Sequence, residues 1–273
     1  MNVPVPLLAV VAIALLVISN DALAHNPFSG SIEQRIAGSI SALLLLSFWW
    51  VYVRGSNRVS PGFNQELGFY LICVICGITI LGPLDELASN STAAHMSQHM
   101  LLIVVIAPLW VLTRPLPQLV AGGLRLMLPF WKPLLRLVRQ PMTTAYLHGA
   151  AIWIWHIPWF YMLAVESPGW HTFEHACFLV TAGLFWWAVL RCSSRNLPTA
   201  ALALLFTLMH TGFLGAILTF ARLPLYDESR TLADQQLAGL IMWVAGAFPY
   251  LLGISWLARR WYRRHSHDGV VKQ

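Results

Sequence analysis

The chain has 273 residues, of which 58% are hydrophobic and only 10% are charged. A soluble domain carries about 25% charged residues, so this composition excludes an ordinary soluble protein. The net charge of +6 does not indicate nucleic-acid binding, because the basic residues lie between apolar segments, as the topology of a membrane protein requires.

The N-terminal segment, residues 1–24, predicts a signal peptide or an uncleaved anchor. It has an apolar middle and ends in an A-x-A motif at Ala22 and Ala24, but the basic residues that usually come first are missing. Residues 25–273 are then a single transmembrane helical domain. Cleavage after Ala24 would leave His25 at the N-terminus, where its amine and imidazole together could chelate copper. An ordinary residue without a ligand role is an equally good interpretation of His25.

Seven further apolar segments predict an all-α, polytopic transmembrane helix bundle. Each is close to the roughly 20 residues that cross a bilayer as a helix, which satisfies its own backbone in lipid. The predicted spans are residues 36–53, 67–83, 95–113, 142–165, 170–190, 199–220 and 237–257.

The basic residues predict the orientation of this bundle. If residues 25–35 lie outside, every Lys and Arg except Arg35, Arg222 and Arg230 lies inside. The positive-inside rule then predicts a multi-pass protein of a bacterial inner membrane, surrounded by lipid. Its N-terminus is expected in the periplasm and its C-terminus in the cytoplasm.

Two histidine pairs are the main candidates for chemistry. His95 and His99 lie in HMSQH at the start of the third span, and His171 and His175 lie in HTFEH at the start of the fifth. Imidazoles four residues apart share one helical face, and both helices are predicted to run inward, so the pairs should lie at one depth in the outer leaflet. Because ionisable groups are costly in lipid, this arrangement favours a metal or haem site over simple hydrogen bonding.

Other polar and sulfur-containing residues have more than one interpretation. His156 lies deeper in the fourth span, and His210 at a similar depth in the sixth is well explained by a hydrogen bond to a neighbouring helix. Met96 and Met100 flank the first histidine pair and are interpreted as packing residues. Asp234, above the seventh span, is a candidate ligand, an acceptor behind a ligand, or a helix cap.

The motif HTFEH also fits the HxxEH pattern of inverted zinc proteases, with Glu174 as its acid. The further acid and the substrate cleft of such an enzyme cannot be identified, so no enzyme activity is expected. Glu174 could instead orient a metal ligand from behind.

Several segments resemble the CtaG-type cytochrome c oxidase assembly factors, a polytopic family. The resemblance covers nearly the whole chain after residue 24. The matching segments are YVRGSNRV, GPLDELASNSTAAHMSQHMLL, APLWVLTRPLP, WHIPWFY, HTFEHACFL and DQQLAGLIMW. The resemblance implies a role in producing active haem–copper oxidase, with oxidase subunits and a periplasmic copper donor as partners and with copper as the metal.

The resemblance also implies which residues act. They are His95, His99, His156, His171, His175 and Asp234, and with His25 they form the predicted metal-ligand set. Two alternatives stay open. One is a bis-histidine haem protein of electron transfer, which would show a Soret band. The other is a metal-free scaffold for oxidase subunits, in which replacing the paired histidines would leave oxidase assembly intact.

Overall fold

The structure, a computed structural model, describes residues 31–227 and 230–270. All regular secondary structure in these ranges is helical, which confirms the predicted all-α bundle. The predicted signal segment 1–24 and His25 lie outside the described residues.

The α-helices are numbered in chain order. They are α1 Ile32–Ser56, α2 Phe63–Leu81, α3 Pro83–Asn90, α4 Thr92–Met100, α5 Ala107–Thr113, α6 Leu116–Gly122, α7 Leu128–Leu137, α8 Pro141–Trp155, α9 Pro158–Glu166, α10 Pro168–Leu190, α11 Leu197–Phe220, α12 Leu232–Leu240 and α13 Gly246–Val270. Two π-helical segments continue the path between α4 and α5 and between α12 and α13. They are Leu101–Ile106 and Ile241–Ala245.

Within the described ranges, six helical segments are long and apolar enough to cross a membrane. They are Ile32–Ser56, Phe63–Asn90, Thr92–Thr113, Pro168–Leu190, Ser194–Phe220 and Leu232–Arg264. Each contains all or most of one predicted span. The chain is therefore a multi-pass membrane protein with close to the predicted number of spans.

The fourth predicted span, residues 142–165, differs from the others because it is broken into α8 and α9. Pro158 forces the preceding residue out of the helical region, and Ile157 has an extended conformation with ψ of 130°. His156 occupies the end of α8 with φ of −94° and ψ of 0°. The break therefore places His156 at a bend between two short helices instead of inside a continuous one.

The helices α4 and α10 lie side by side and run in the same direction. The His95 ring is next to the His171 ring, and one turn further on His99 is next to His175. Beyond them, the buried indole of Trp186 donates a hydrogen bond of 2.8 Å to the Ile103 carbonyl. This bond satisfies a backbone acceptor in the π-helical segment that follows the first histidine pair.

The position of α12 is set by a close crossing with α11. A Cβ atom added to Gly239 would lie 2.6 Å from the Gly215 carbonyl oxygen, so the backbones touch where neither residue has a side chain. Small residues allow such close approach between membrane helices. The crossing holds the first turn of α12, which contains Asp234, beside the start of α4.

Candidate metal centre

The four paired histidines form one cluster between α4 and α10. The ring centroids of His95 and His99 are 4.3 Å apart, and those of His171 and His175 are 4.2 Å apart. Across the two helices, the centroids are 5.0 Å apart for the outer rings and 5.7 Å apart for the inner rings. The predicted convergence of the two pairs at one level is therefore present, and metal binding by them stays a prediction.

The carboxylate of Glu174 lies between the two histidines of α4. Its two oxygens are each 3.4 Å from an Nε2 atom, Oε2 from that of His95 and Oε1 from that of His99. These contacts lack the angles of hydrogen bonds, and the four atoms have no hydrogen-bond partner among the described residues. Polar atoms buried without partners are rare, so this group of atoms is a candidate binding site for an ion.

The spacing of these atoms fits a coordinated metal. A tetrahedral ion bonded to nitrogen and oxygen at about 2.1 Å holds neighbouring ligand atoms about 3.4 Å apart. One ligand atom from each of His95, His99 and Glu174 lies within 4.8 Å of the other two. These three residues therefore form a compact two-nitrogen, one-oxygen donor set, which suits zinc, copper or iron.

Burial adds to the case for a cation at this position. Glu174 has no exposed surface, and its only ion-pair contacts within the described ranges are with His95 and His99. A buried carboxylate is costly unless a positive charge is paired with it. A metal ion between the three side chains would supply that charge without requiring the histidines to be protonated.

The outer end of the cluster is formed by His171 and Asp85. The Nδ1 atom of His171 is 3.6 Å from Oδ1 of Asp85, and both side chains are partly exposed, by 15% and 32%. The same Asp85 oxygen accepts a hydrogen bond of 3.0 Å from the buried Gln98 amide. Asp85 is thus tied to α4, and the pair forms the more accessible side of the site.

His156 reaches the cluster from the break between α8 and α9. Its ring centroid is 6.1 Å from that of His99. Its Nδ1 atom is 2.7 Å from the Ile152 carbonyl oxygen, and its Nε2 atom is 3.3 Å from the sulfur of Met96. The structure therefore places this predicted ligand next to the paired histidines.

Asp234 lies near the cluster, but its oxygens face the start of α4. Oδ2 accepts a hydrogen bond of 2.5 Å from the Thr92 amide, and Oδ1 accepts one of 2.7 Å from the Ser91 hydroxyl. The cap of its own helix is Thr231, whose hydroxyl accepts from the Asp234 amide at 3.2 Å. The prediction that Asp234 caps its own helix is therefore wrong, and its carboxylate instead accepts hydrogen bonds at the start of the helix that holds His95.

An arginine and two tyrosines cover the site next to His95. Arg230 donates to the Tyr161 hydroxyl at 3.2 Å and to the Ser89 carbonyl at 2.7 Å. Tyr161 stacks on Tyr226 with centroids 3.8 Å apart, and its ring is 5.1 Å from that of His95. Burial raises the pKa of the Tyr226 phenol, so Tyr226 stays uncharged beside the Arg230 guanidinium.

The sequence identified the histidines but not the groups that surround them. The sequence predicts that Glu174 lies behind a ligand, whereas the structure places it between His95 and His99. The sequence does not indicate Tyr161 or Arg230. Glu174 precedes His175 in HTFEH and follows His171 by three residues, a spacing that places all three on one helical side. That spacing could have identified Glu174 from the sequence. Arg230, Tyr161 and Tyr226 could not be identified in this way, because their position over His95 depends on how the helices pack.

Comparison with known proteins identifies a family. A family model described as cytochrome c oxidase caa3 assembly factor (Caa3_CtaG) matches residues 45–264. No curated protein and no solved structure matches the chain. The matched range includes every described residue of the histidine cluster and its cover.

Proposed function

The chain belongs to the family of cytochrome c oxidase caa3 assembly factors, and from this premise we propose that it holds a copper ion as cargo for the oxidase. The ion would bind to His95 and His99 together with Glu174 and then pass to an oxidase subunit. One observation carries the proposal: two imidazole nitrogens and two carboxylate oxygens face each other at 3.4 Å, buried and without hydrogen bonds.

The proposal assigns His171 and His175 to the next steps of ligand exchange. Both rings contact the α4 pair, and each has an Nε2 atom without a hydrogen-bond partner in the described ranges. Neutral imidazoles that exchange one at a time move an ion without leaving it uncoordinated. Because His171 is the most exposed of the four, it is the first residue that a periplasmic copper donor would meet.

We propose copper as the cargo because the family assembles a haem–copper oxidase, which contains copper. Imidazole and carboxylate alone would also accept zinc. A haem held by two histidines needs a flat slot between them, whereas these imidazoles contact each other and a buried carboxylate. That packing favours a single ion over a porphyrin.

The site is proposed to lie in the outer leaflet, close to the periplasm. The support is the excess of Lys and Arg in segments on the opposite side of the spans, including the C-terminal Arg259, Arg260, Arg263 and Arg264. Fusion of green fluorescent protein or alkaline phosphatase to the C-terminus tests this orientation. Fluorescence without phosphatase activity is expected, and the reverse pattern would contradict it.

Metal content of the purified protein tests the site. Wild type loaded anaerobically with Cu(I) in detergent should hold about one copper per chain by plasma mass spectrometry. A variant with His95, His99, His171 and His175 all changed to alanine should hold almost none. The control is His210→Ala, which removes a membrane imidazole outside the cluster and should retain wild-type copper.

A complementation experiment in cells separates the copper function from the two alternatives. In a strain whose chromosomal copy is deleted, wild type should restore copper in the purified oxidase, and the four-histidine variant should not. Equal restoration by both proteins would support a metal-free scaffold. A Soret band in the purified wild type, lost in the variant, would support the haem alternative instead.

A further inference from the structure

Met96 and His156 are in contact at the inner edge of the cluster, on two different helices. The Met96 sulfur lies 3.3 Å from Nε2 of His156. Met96 is fully buried and only 6% of His156 is exposed. Met96 directly follows His95 in the sequence. Among the described residues, its sulfur makes a polar contact with His156 and with neither histidine of the α4 pair.

The protons of this contact can be assigned from its partners. The Ile152 carbonyl oxygen, 2.7 Å from Nδ1 of His156, can only accept, so Nδ1 carries the proton of the neutral ring. Nε2 then presents a lone pair, and the thioether of Met96 has no proton to donate. Two lone pairs therefore face each other at 3.3 Å. A second ring proton would turn the contact into a hydrogen bond, but it would place a cation inside the apolar bundle.

We propose that Met96 and His156 form a second, softer copper site that selects Cu(I). An imidazole nitrogen and a thioether sulfur are together a donor set that favours Cu(I) over zinc. The flexible side chain of methionine can adjust to an ion between the two atoms. The inference rests on the proposed copper function and adds to it the oxidation state of the cargo and a second position for it.

His99 connects the second site with the first. Its ring centroid is 4.3 Å from that of His95 and 6.1 Å from that of His156. Both of its ring nitrogens are buried and lack a hydrogen-bond partner in the described ranges, so neither is committed to the surrounding protein. His99 can thus serve as a third ligand to the Met96–His156 pair and as the residue that both sites share.

A neighbouring methionine shows what a packing role looks like. Met100 lies one turn after Met96 on the same side of the helical path. Its sulfur lies 3.0 Å from the point where a Cβ atom on Gly246 would be, which places it against the backbone of α13. Met100 is partly exposed and packs against the hydrophobic core. It is therefore a matched control, since both residues can be replaced by leucine with little change in volume.

The test compares Met96→Leu, Met100→Leu and wild type, each purified in detergent. Cu(I) affinity is measured by competition with a chromophoric Cu(I) chelator, and Zn(II) affinity by competition with a zinc indicator. We expect Met96→Leu to weaken Cu(I) binding by about tenfold or more and to leave Zn(II) binding within about twofold. Met100→Leu should match wild type for both ions.

X-ray absorption at the copper edge identifies which kinds of atom are bonded to copper. Wild type and Met100→Leu should show a sulfur neighbour of copper, and Met96→Leu should show only nitrogen and oxygen. A wild-type spectrum without sulfur would overturn the inference, as would a sulfur neighbour that persists in Met96→Leu. An equal loss of Cu(I) and Zn(II) affinity in Met96→Leu would also overturn it, because it would indicate a structural effect.

The same measurements separate this inference from the function on which it rests. If wild type binds copper through nitrogen and oxygen alone and His95→Ala with His99→Ala removes it, the proposed function stands and the sulfur site does not. If wild type binds no copper at all, both fail.

Discussion

Asp234 accepts a hydrogen bond of 2.7 Å from the hydroxyl of Ser91, although the two residues are 143 positions apart in the chain. The contact joins the first turn of α12 to the cap of α4. Ser91 in turn accepts from the Ala94 amide at 3.2 Å, and Asp234 accepts from the Thr92 amide. A carboxylate beside free amides at a helix start is favourable, so Asp234 fixes the turn immediately before His95.

The substitution Asp234→Asn tests this role. It removes the negative charge but keeps the size, so the amide donors at the start of α4 lose a charged acceptor. We expect the free energy of unfolding to fall by about 1–2 kcal/mol. Copper affinity should fall by less than in His95→Ala, because every ligand of the cluster remains.

Thermal unfolding in detergent and Cu(I) competition measure the two effects. Glu33→Gln, an exposed change in the first turn of α1, is the control and should move neither value. A complete loss of copper in Asp234→Asn without loss of stability would instead identify Asp234 as a ligand.

The substitution Glu174→Gln should separate metal affinity from stability. Without metal, the buried charge disappears and the new amide can donate to an imidazole, so the melting temperature should be unchanged or higher. With metal, the variant lacks the anionic ligand, and its affinity should fall by about tenfold or more. The rise in melting temperature on adding metal should therefore be much smaller than in wild type.

Melting curves with copper, with zinc and with a chelator are the measurement for this change. Glu166→Gln, on α9, is the matched control and should keep the full metal-dependent rise. A Glu174→Gln protein with the wild-type rise would show that the carboxylate is not a ligand.

Much of this site was predictable because its pattern is local. Residues four apart, such as His95 and His99, share one helical face whatever the rest of the fold does, and the alternation of spans placed the second pair at the same level. The contact of Asp234 with Ser91 was not predictable, since it depends on how two distant helices cross. The pairing of Met96 with His156 is a similar case, because the two residues lie on different helices, 60 positions apart in the chain.

The substitution Trp186→Phe tests the hydrogen bond from the Trp186 indole to the Ile103 carbonyl. Phenylalanine keeps the aromatic stack on Tyr250, whose ring lies 5.4 Å away, but it cannot donate to the Ile103 carbonyl. A buried acceptor left without its donor costs about 1–3 kcal/mol. We expect a lower melting temperature from this change, measured without metal. Trp187→Phe, at the partly exposed neighbouring position, should have a small effect, and equal effects of both changes would contradict the role of the hydrogen bond.

The substitution Pro158→Ala tests whether the break in the fourth span positions His156. Alanine restores a backbone donor and removes the restriction on Ile157, so α8 can continue through the bend toward α9. A continuous helix would rotate and shift His156 away from Met96 without removing any ligand. Cu(I) affinity should then fall by about tenfold, while the copper-edge spectrum loses its sulfur neighbour. Zn(II) affinity should stay near wild type, because the three donors on α4 and α10 do not depend on the break.

The control for the break is Pro117→Ala, near the start of α6, which should leave both affinities unchanged. If Pro158→Ala keeps the sulfur neighbour and the wild-type Cu(I) affinity, then the contact between Met96 and His156 does not need the bend. In that case His156 would be oriented by α9 itself. The hydrogen bond from Arg230 to Tyr161 holds the first turn of α9 in place. A double change, Pro158→Ala with Tyr161→Phe, would then be expected to remove the sulfur neighbour.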